Sequence, residues 1–187
     1  MNKEEASNAI IKHSCIGGAI ALVPVPIVGE IAVVVNQLAM YRKLNELAGV
    51  KFSDNVLKNI GKFLLSQLAG VFGGMAAIIG VTTVVKFIPG LNFVAGLAAA
   101  PIAGAANYVC GRAYAEMIGG FVAKGGADNL SDEEIIAAIK AGLPSEERLK
   151  KFHTEGKSKM AGVKFSDYKK KADDCVNEAT NNSQKYQ

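Results

Sequence analysis

Between Ser14 and Tyr41 only one charge, Glu30, interrupts an apolar run, and the run is punctuated at Val23-Pro24-Val25-Pro26. Proline lacks an amide donor and pushes its predecessor out of the helical region. The pattern therefore predicts a helix, an extended kink at 24–26, and a second helix starting near Ile27. That second helix continues through Gln37, Met40 and Leu44 and stops at Gly49, which suits a left-handed cap.

Two uncharged stretches follow, Phe63 to Val85 and, after Lys86, Phe87 to Gly111. At about 1.5 Å per residue the first spans roughly 34 Å, enough for the hydrocarbon of a bilayer. Both carry small residues at four-residue spacing, Gly70 with Gly74, and Gly96, Ala100 and Gly104 in series. Such stripes let helix backbones approach closely. The pattern predicts an apolar helical hairpin over 63–111 that turns at Pro89-Gly90.

The string Gly-Val-Lys-Phe-Ser-Asp occurs at 49–54 and again at 162–167. After the first copy Val56, Leu57, Ile60 and Leu64 recur at helical spacing, so Ser53 or Asp54 should cap a helix. After the second, Tyr168, Ala172, Cys175 and Val176 supply the apolar face. The surrounding sequences diverge at once, so the repeat reads as one loop-to-helix lead-in used twice. Ser131 through Glu134 forms a capping box ahead of Ile135, Ile136, Ile139 and Leu143; Gly142 and Pro144 end that helix and Ser145 caps the next.

Composition sharpens this picture. Half of the 187 residues are hydrophobic, yet aromatics are sparse and Trp is absent, so Ala, Val, Ile, Leu and Gly dominate. That is a helix-packing vocabulary. Cys15, Cys110 and Cys175 are odd in number and far apart, which suggests neither a disulfide framework nor a zinc site. Acidic residues at positions 4 and 5, where a signal peptide needs positive charge, speak against secretion by a cleaved signal.

Catalytic constellations do not emerge. His13 and His153 stand far apart, and His13-Ser14-Cys15 is a poor nucleophile-and-base set because neighbours on a helix face different ways. Gly156-Lys157-Ser158 resembles the end of a phosphate loop, but Lys151 stands where the earlier glycine is needed. The expectation is no catalytic, metal or cofactor site. From Arg148 to Lys171 nine basic residues face only Glu155 and Asp167. Arg148, Lys150, Lys151, Lys169, Lys170 and Lys171 are thus candidate contacts for anionic lipid or a protein partner, whereas nucleic acid is not expected.

Two settings explain an uncharged helical pair: lipid around it, or other helices around it. Lysines and arginines flank the pair at both ends and only Lys86 lies at the turn, which under the positive-inside rule places both ends in the cytoplasm. Ser66, Gln67, Thr82, Thr83 and Asn107 lie within the runs and suit a protein core equally. Glu30 sits four residues after Pro26, where a carboxylate complements the helix dipole; in lipid it would be a functional suspect.

From Ala21 through Pro24, Pro26, Gly29 and Glu30 to Gln37, Met40 and Gly49, and again around Ile88-Pro89-Gly90, the chain resembles the bacterial domain-of-unknown-function family 697. The resemblance covers roughly residues 15–120. It implies an all-helical module tied to membranes and to a small GTPase domain, here necessarily on another chain. Family members commonly carry Asp where this chain has Glu30, which keeps the charge.

The expected protein is all-α, a helical bundle built around a glycine-rich apolar hairpin that is a candidate for membrane insertion. Its parts are a polar segment 1–13, an apolar module 14–125 with a kink at Pro24 and Pro26, charged amphipathic helices 126–178, and a disordered tail 179–187. The leading reading is a non-catalytic module of the bacterial inner membrane or its cytoplasmic face, partnering a GTPase or itself. The alternatives are a soluble interaction bundle in the cytoplasm and a pore-forming protein with an insertable hairpin.

Overall fold

The computed structural model describes residues 1–23, 26–71, 92–126 and 130–181. Every regular element among them is helical: α1 (Lys3–Ile20), α2 (Pro26–Ala48), α3 (Asp54–Val71), α4 (Asn92–Ala123), α5 (Asp132–Lys140), α6 (Glu146–Met160), a 3₁₀ turn (Phe165–Tyr168) and α7 (Lys169–Asn181). The all-α expectation holds. The turn at Pro89-Gly90, Gly74 and Pro24 fall outside the described residues.

Local chemistry sets most of the helix ends. Asn2 caps α1, its Oδ1 accepting from the amides of Glu4 and Glu5 at 3.0 and 3.4 Å. The first helix therefore begins at Lys3, well before Ser14, and the segment 1–13 contributes Ala6 and Ile10 to the core. Pro26 opens α2, where a missing amide costs nothing. Gly49 ends α2 with φ 73°. Ser53 Oγ accepts from Val56 N at 3.2 Å, Ser131 and Glu134 close a capping box, and Ser145 Oγ accepts from Arg148 N at 3.3 Å.

The two copies of Gly-Val-Lys-Phe-Ser-Asp diverge after a shared start. Both glycines adopt left-handed geometry, Gly49 at 73° and Gly162 at 74°. The first copy enters α3 directly. The second passes through the 3₁₀ turn, because Phe165 is drawn into the core while Phe52 is only partly buried against Phe121.

Helix α4, 32 residues long, is the axis of the assembly. Its most extensive packing is on α1 and α6, and its contact with α3 is slight. One core cluster gathers Leu44, Leu57, Ile60, Tyr114, Met117 and Phe152 around the second half of α4. A second joins Ile16, Ile20, Val35, Ala100, Ala105 and Ala172 at the other end. Ala100, Ala105, Val109 and Cys110 are thus buried by protein, so for this part of the uncharged run other helices are the surroundings. No helix among the described residues is long and apolar enough to cross a membrane.

Candidate functional site

Glycines set the spacing of α1, α4 and α6. A Cβ on Gly17 would collide with the Asn107 amide, and one on Gly18 would collide with the Phe165 ring and lie 2.8 Å from the Ala100 carbonyl oxygen. At Gly104 it would meet Met160 Sδ at 2.7 Å and the Ser14 carbonyl at 3.1 Å; at Gly156, the Ala105 carbonyl at 3.1 Å. The close approach of 96–111 is therefore made to α1 and α6. Of the stripe residues, Ala100 and Gly104 lie in this seam, and the surroundings of Gly96 fall outside the described residues. Gly70 is exposed, and no described atom comes within 4 Å of its Cβ position, so it does not pack against any described helix.

Gly17, Gly18 and Gly156 were not among the predicted packing residues. The adjacent pair 17–18 inside an apolar run was the available signal. Gly156 was legible only as part of a failed phosphate loop, and its actual role is to admit Tyr108 and the α4 backbone.

The groups that might have carried chemistry are engaged in structure. His13 Nδ1 donates to Asn36 Oδ1 at 2.9 Å, and Asn36 Nδ2 donates to the His13 carbonyl at 2.9 Å. Burial, opposed by the Asn36 bond and aided by Lys12 and Lys171, lowers the His13 pKa. Ser14 Oγ donates to the Ile10 carbonyl at 2.7 Å. Cys15 is buried beside Tyr168 with its pKa raised by desolvation. Burial pushes Cys110 up to about 12 and Cys175 up to about 11, which starves both of thiolate at neutral pH. Among the described residues no three His, Cys, Asp or Glu side chains gather as a metal site.

The basic candidates divide into two kinds. Arg148 is a packing residue: it pairs with Glu116 on α4, its Nε donating at 3.0 Å, and its guanidinium lies 4.9 Å from the centre of the buried Phe152 ring. Arg112 lies 5.1 Å from the same ring. Lys150 pairs with Glu146 at 2.6 Å and Lys169 with Asp173 at 2.7 Å, each one turn away on its own helix. Lys151, Lys170 and Lys171 are exposed and make no ion pair among the described residues. The side chain of Glu30 lies outside the described residues.

Beside this basic surface, the turn after α1, helix α4, and α6 with the loop that follows it leave an open groove of about 670 Å³. Leu22, Ile102, Met160, Val163 and Phe165 give it an apolar floor, and Lys157 and Lys164 stand among its lining residues.

No family model matches the chain, and no solved structure matches it. Over 110 residues the chain is 36% identical to magnetosome membrane protein 22 of Magnetospirillum gryphiswaldense, an alignment covering 58% of this chain and 55% of that protein. The chain therefore spans about half the length of the curated relative it matches.

Proposed function

We propose that the chain is a non-catalytic, membrane-associated helical module of the bacterial inner membrane or its cytoplasmic face. The observation that carries the reading is its similarity to a protein named for the magnetosome membrane. Its support in the chain is the basic stretch from Arg148 to Lys171, nine cations against Glu155 and Asp167, with Lys151, Lys170 and Lys171 outside any ion pair among the described residues. Clustered lysines of this kind attract anionic headgroups. Because no described helix is long and apolar enough to span, the association proposed for these residues is peripheral.

The test is fractionation of cells expressing the chain, with low-salt and high-salt washes of the membrane pellet. The chain is expected in the pellet at low salt and released in part at high salt. Quantitative recovery in the detergent-free soluble fraction at low salt would sink the proposal.

The burial of α4 by α1, α2 and α6 favours a second reading, a bundle that acts by docking on a partner protein or on itself. The finer form of this reading, a GTPase in trans, follows from the resemblance to family 697. It requires that a GTPase co-purify with the chain in its triphosphate state and not in its diphosphate state.

A further inference from the structure

We infer that the groove between the turn after α1, helix α4, and α6 with its following loop holds the acyl chain of an anionic phospholipid, with Lys157 and Lys164 on its headgroup phosphate; the inference rests on the membrane reading above and deepens it. The groove is a built feature of the fold. Leu22 comes from the turn after α1, Ile102 from α4, and Val163 and Phe165 from the second Gly-Val-Lys-Phe-Ser-Asp segment, whose direction is set by the left-handed Gly162. Phe165 can close the inner wall because Gly18 offers no side chain there. At about 670 Å³ the cavity lies within the range of small-ligand sites.

Its chemistry selects an amphiphile of one sign. The floor is aliphatic and aromatic, which suits a hydrocarbon chain. Lys157 and Lys164 are exposed, neither forms an ion pair among the described residues, and no Asp or Glu is among the described residues that line the groove. A zwitterionic or cationic headgroup would find no carboxylate for its ammonium among the described lining residues. An apolar partner helix would leave both ammonium groups beside its flank without a counter-charge. The complementary ligand is an apolar chain ending in a phosphate, presented by the anionic leaflet that the neighbouring lysines address.

The experiment titrates the full chain with monomeric dihexanoyl phosphatidylglycerol and, separately, dihexanoyl phosphatidylcholine, followed by native mass spectrometry and calorimetry. The expected result is one phosphatidylglycerol per chain, bound at least tenfold more tightly than phosphatidylcholine. The K157E/K164E variant should weaken that binding tenfold or more. The V163D variant should weaken both lipids while melting cooperatively. Equal affinity for the two lipids, or unchanged affinity in K157E/K164E, overturns the inference. So does a lipid-independent dimer abolished by V163D, which would assign the groove to a second copy. Sedimentation with phosphatidylglycerol vesicles keeps the two proposals apart. Vesicle binding without the monomeric complex removes the groove and leaves membrane association; absence of both removes both.

Discussion

His13 and Asn36 hold α1 to α2 through two hydrogen bonds of 2.9 Å that use both polar ends of the Asn36 amide and both the ring and the carbonyl of His13. Asn36 is fully buried, so nothing replaces these bonds when they are lost. Because Asn36 Nδ2 is committed to the His13 carbonyl, its Oδ1 faces the ring and fixes the proton on Nδ1. A second proton must then go to Nε2, against burial and the charges of Lys12 and Lys171.

The first prediction follows from that arrangement. The folded pKa of His13 lies below its ordinary value of 6.5, so between the two the unfolded chain binds more protons. Stability is complete above about pH 6.5 and is lost as pH falls through the window below it. His153, also lowered by burial first and Lys157 second, acts in the same direction. The melting temperature should fall between pH 7.5 and 5.5, and His13→Gln should remove part of that slope while leaving the part due to His153. Asn36→Ala should cost about 1–2 kcal/mol by urea unfolding, since two part-buried bonds go and the His13 ring Nδ1–H loses its acceptor. A flat pH profile for the wild type would refute the assignment.

A second contrast concerns two stacked tyrosines, Tyr41 and Tyr114, whose ring centres lie 4.2 Å apart. The Tyr114 hydroxyl donates to Asn45 Oδ1 at 2.7 Å, whereas the buried Tyr41 hydroxyl meets no hydrogen-bond partner among the described residues and sits beside the Cys110 thiol. Tyr114→Phe strands a buried amide oxygen and should cost about 1–2 kcal/mol. Tyr41→Phe removes an unmet polar group and should be neutral or stabilising. Denaturant midpoints of the two variants at equal m-value decide the matter, and equal losses would contradict the bonding described.

The glycines supply a third prediction, in which one substitution has opposite signs at different sites. Gly18→Ala must displace the Phe165 ring and press on the Ala100 carbonyl, at a cost of about 1–3 kcal/mol. Gly104→Ala meets chiefly the flexible Met160 side chain and should cost less. Gly70→Ala, on an exposed helical position, should stabilise by about 0.5–1 kcal/mol through helix propensity. Thermal melts of the three variants should therefore fall in the order Gly70→Ala, Gly104→Ala, Gly18→Ala.

These cases mark what the chain reveals before it is folded. Helix ends were legible because caps are local: Ser53, the Ser131 and Glu134 box, Ser145 and Gly49 each act within one turn. The start of α1 was missed although Asn2 and Glu5 form a capping pair, because the residues between them and Ser14 alternate polar and apolar without a long run. Partner choice was not legible. A stripe such as Ala100 and Gly104 says that some backbone comes close, and only tertiary structure says that it is α1 and not α3. The basic stretch poses a similar problem. Charge counting cannot separate Arg148, spent on Glu116 and Phe152, from Lys151, which is exposed.

That distinction gives the last prediction. Lys151 and Lys170 are exposed and outside any ion pair among the described residues, and the charges that lower the His13 pKa are those of Lys12 and Lys171, so Lys151 and Lys170 are the positions to reverse while leaving the α1–α2 clamp in place. Lysines near an anionic surface contribute about 1 kcal/mol each, so K151E/K170E should lower binding to phosphatidylglycerol vesicles by tenfold or more. The loss should shrink as salt rises toward 1 M, where screening removes the wild-type attraction too. Arg148→Ala should do the reverse: it frees Glu116 and uncovers one face of the Phe152 ring, lowering the melting temperature, yet leaves vesicle binding close to wild type. Co-sedimentation at two salt concentrations and a thermal melt on each variant separate the roles. If Arg148→Ala abolished vesicle binding at unchanged stability, the arginine would belong to the membrane surface and the packing role given to it would be wrong.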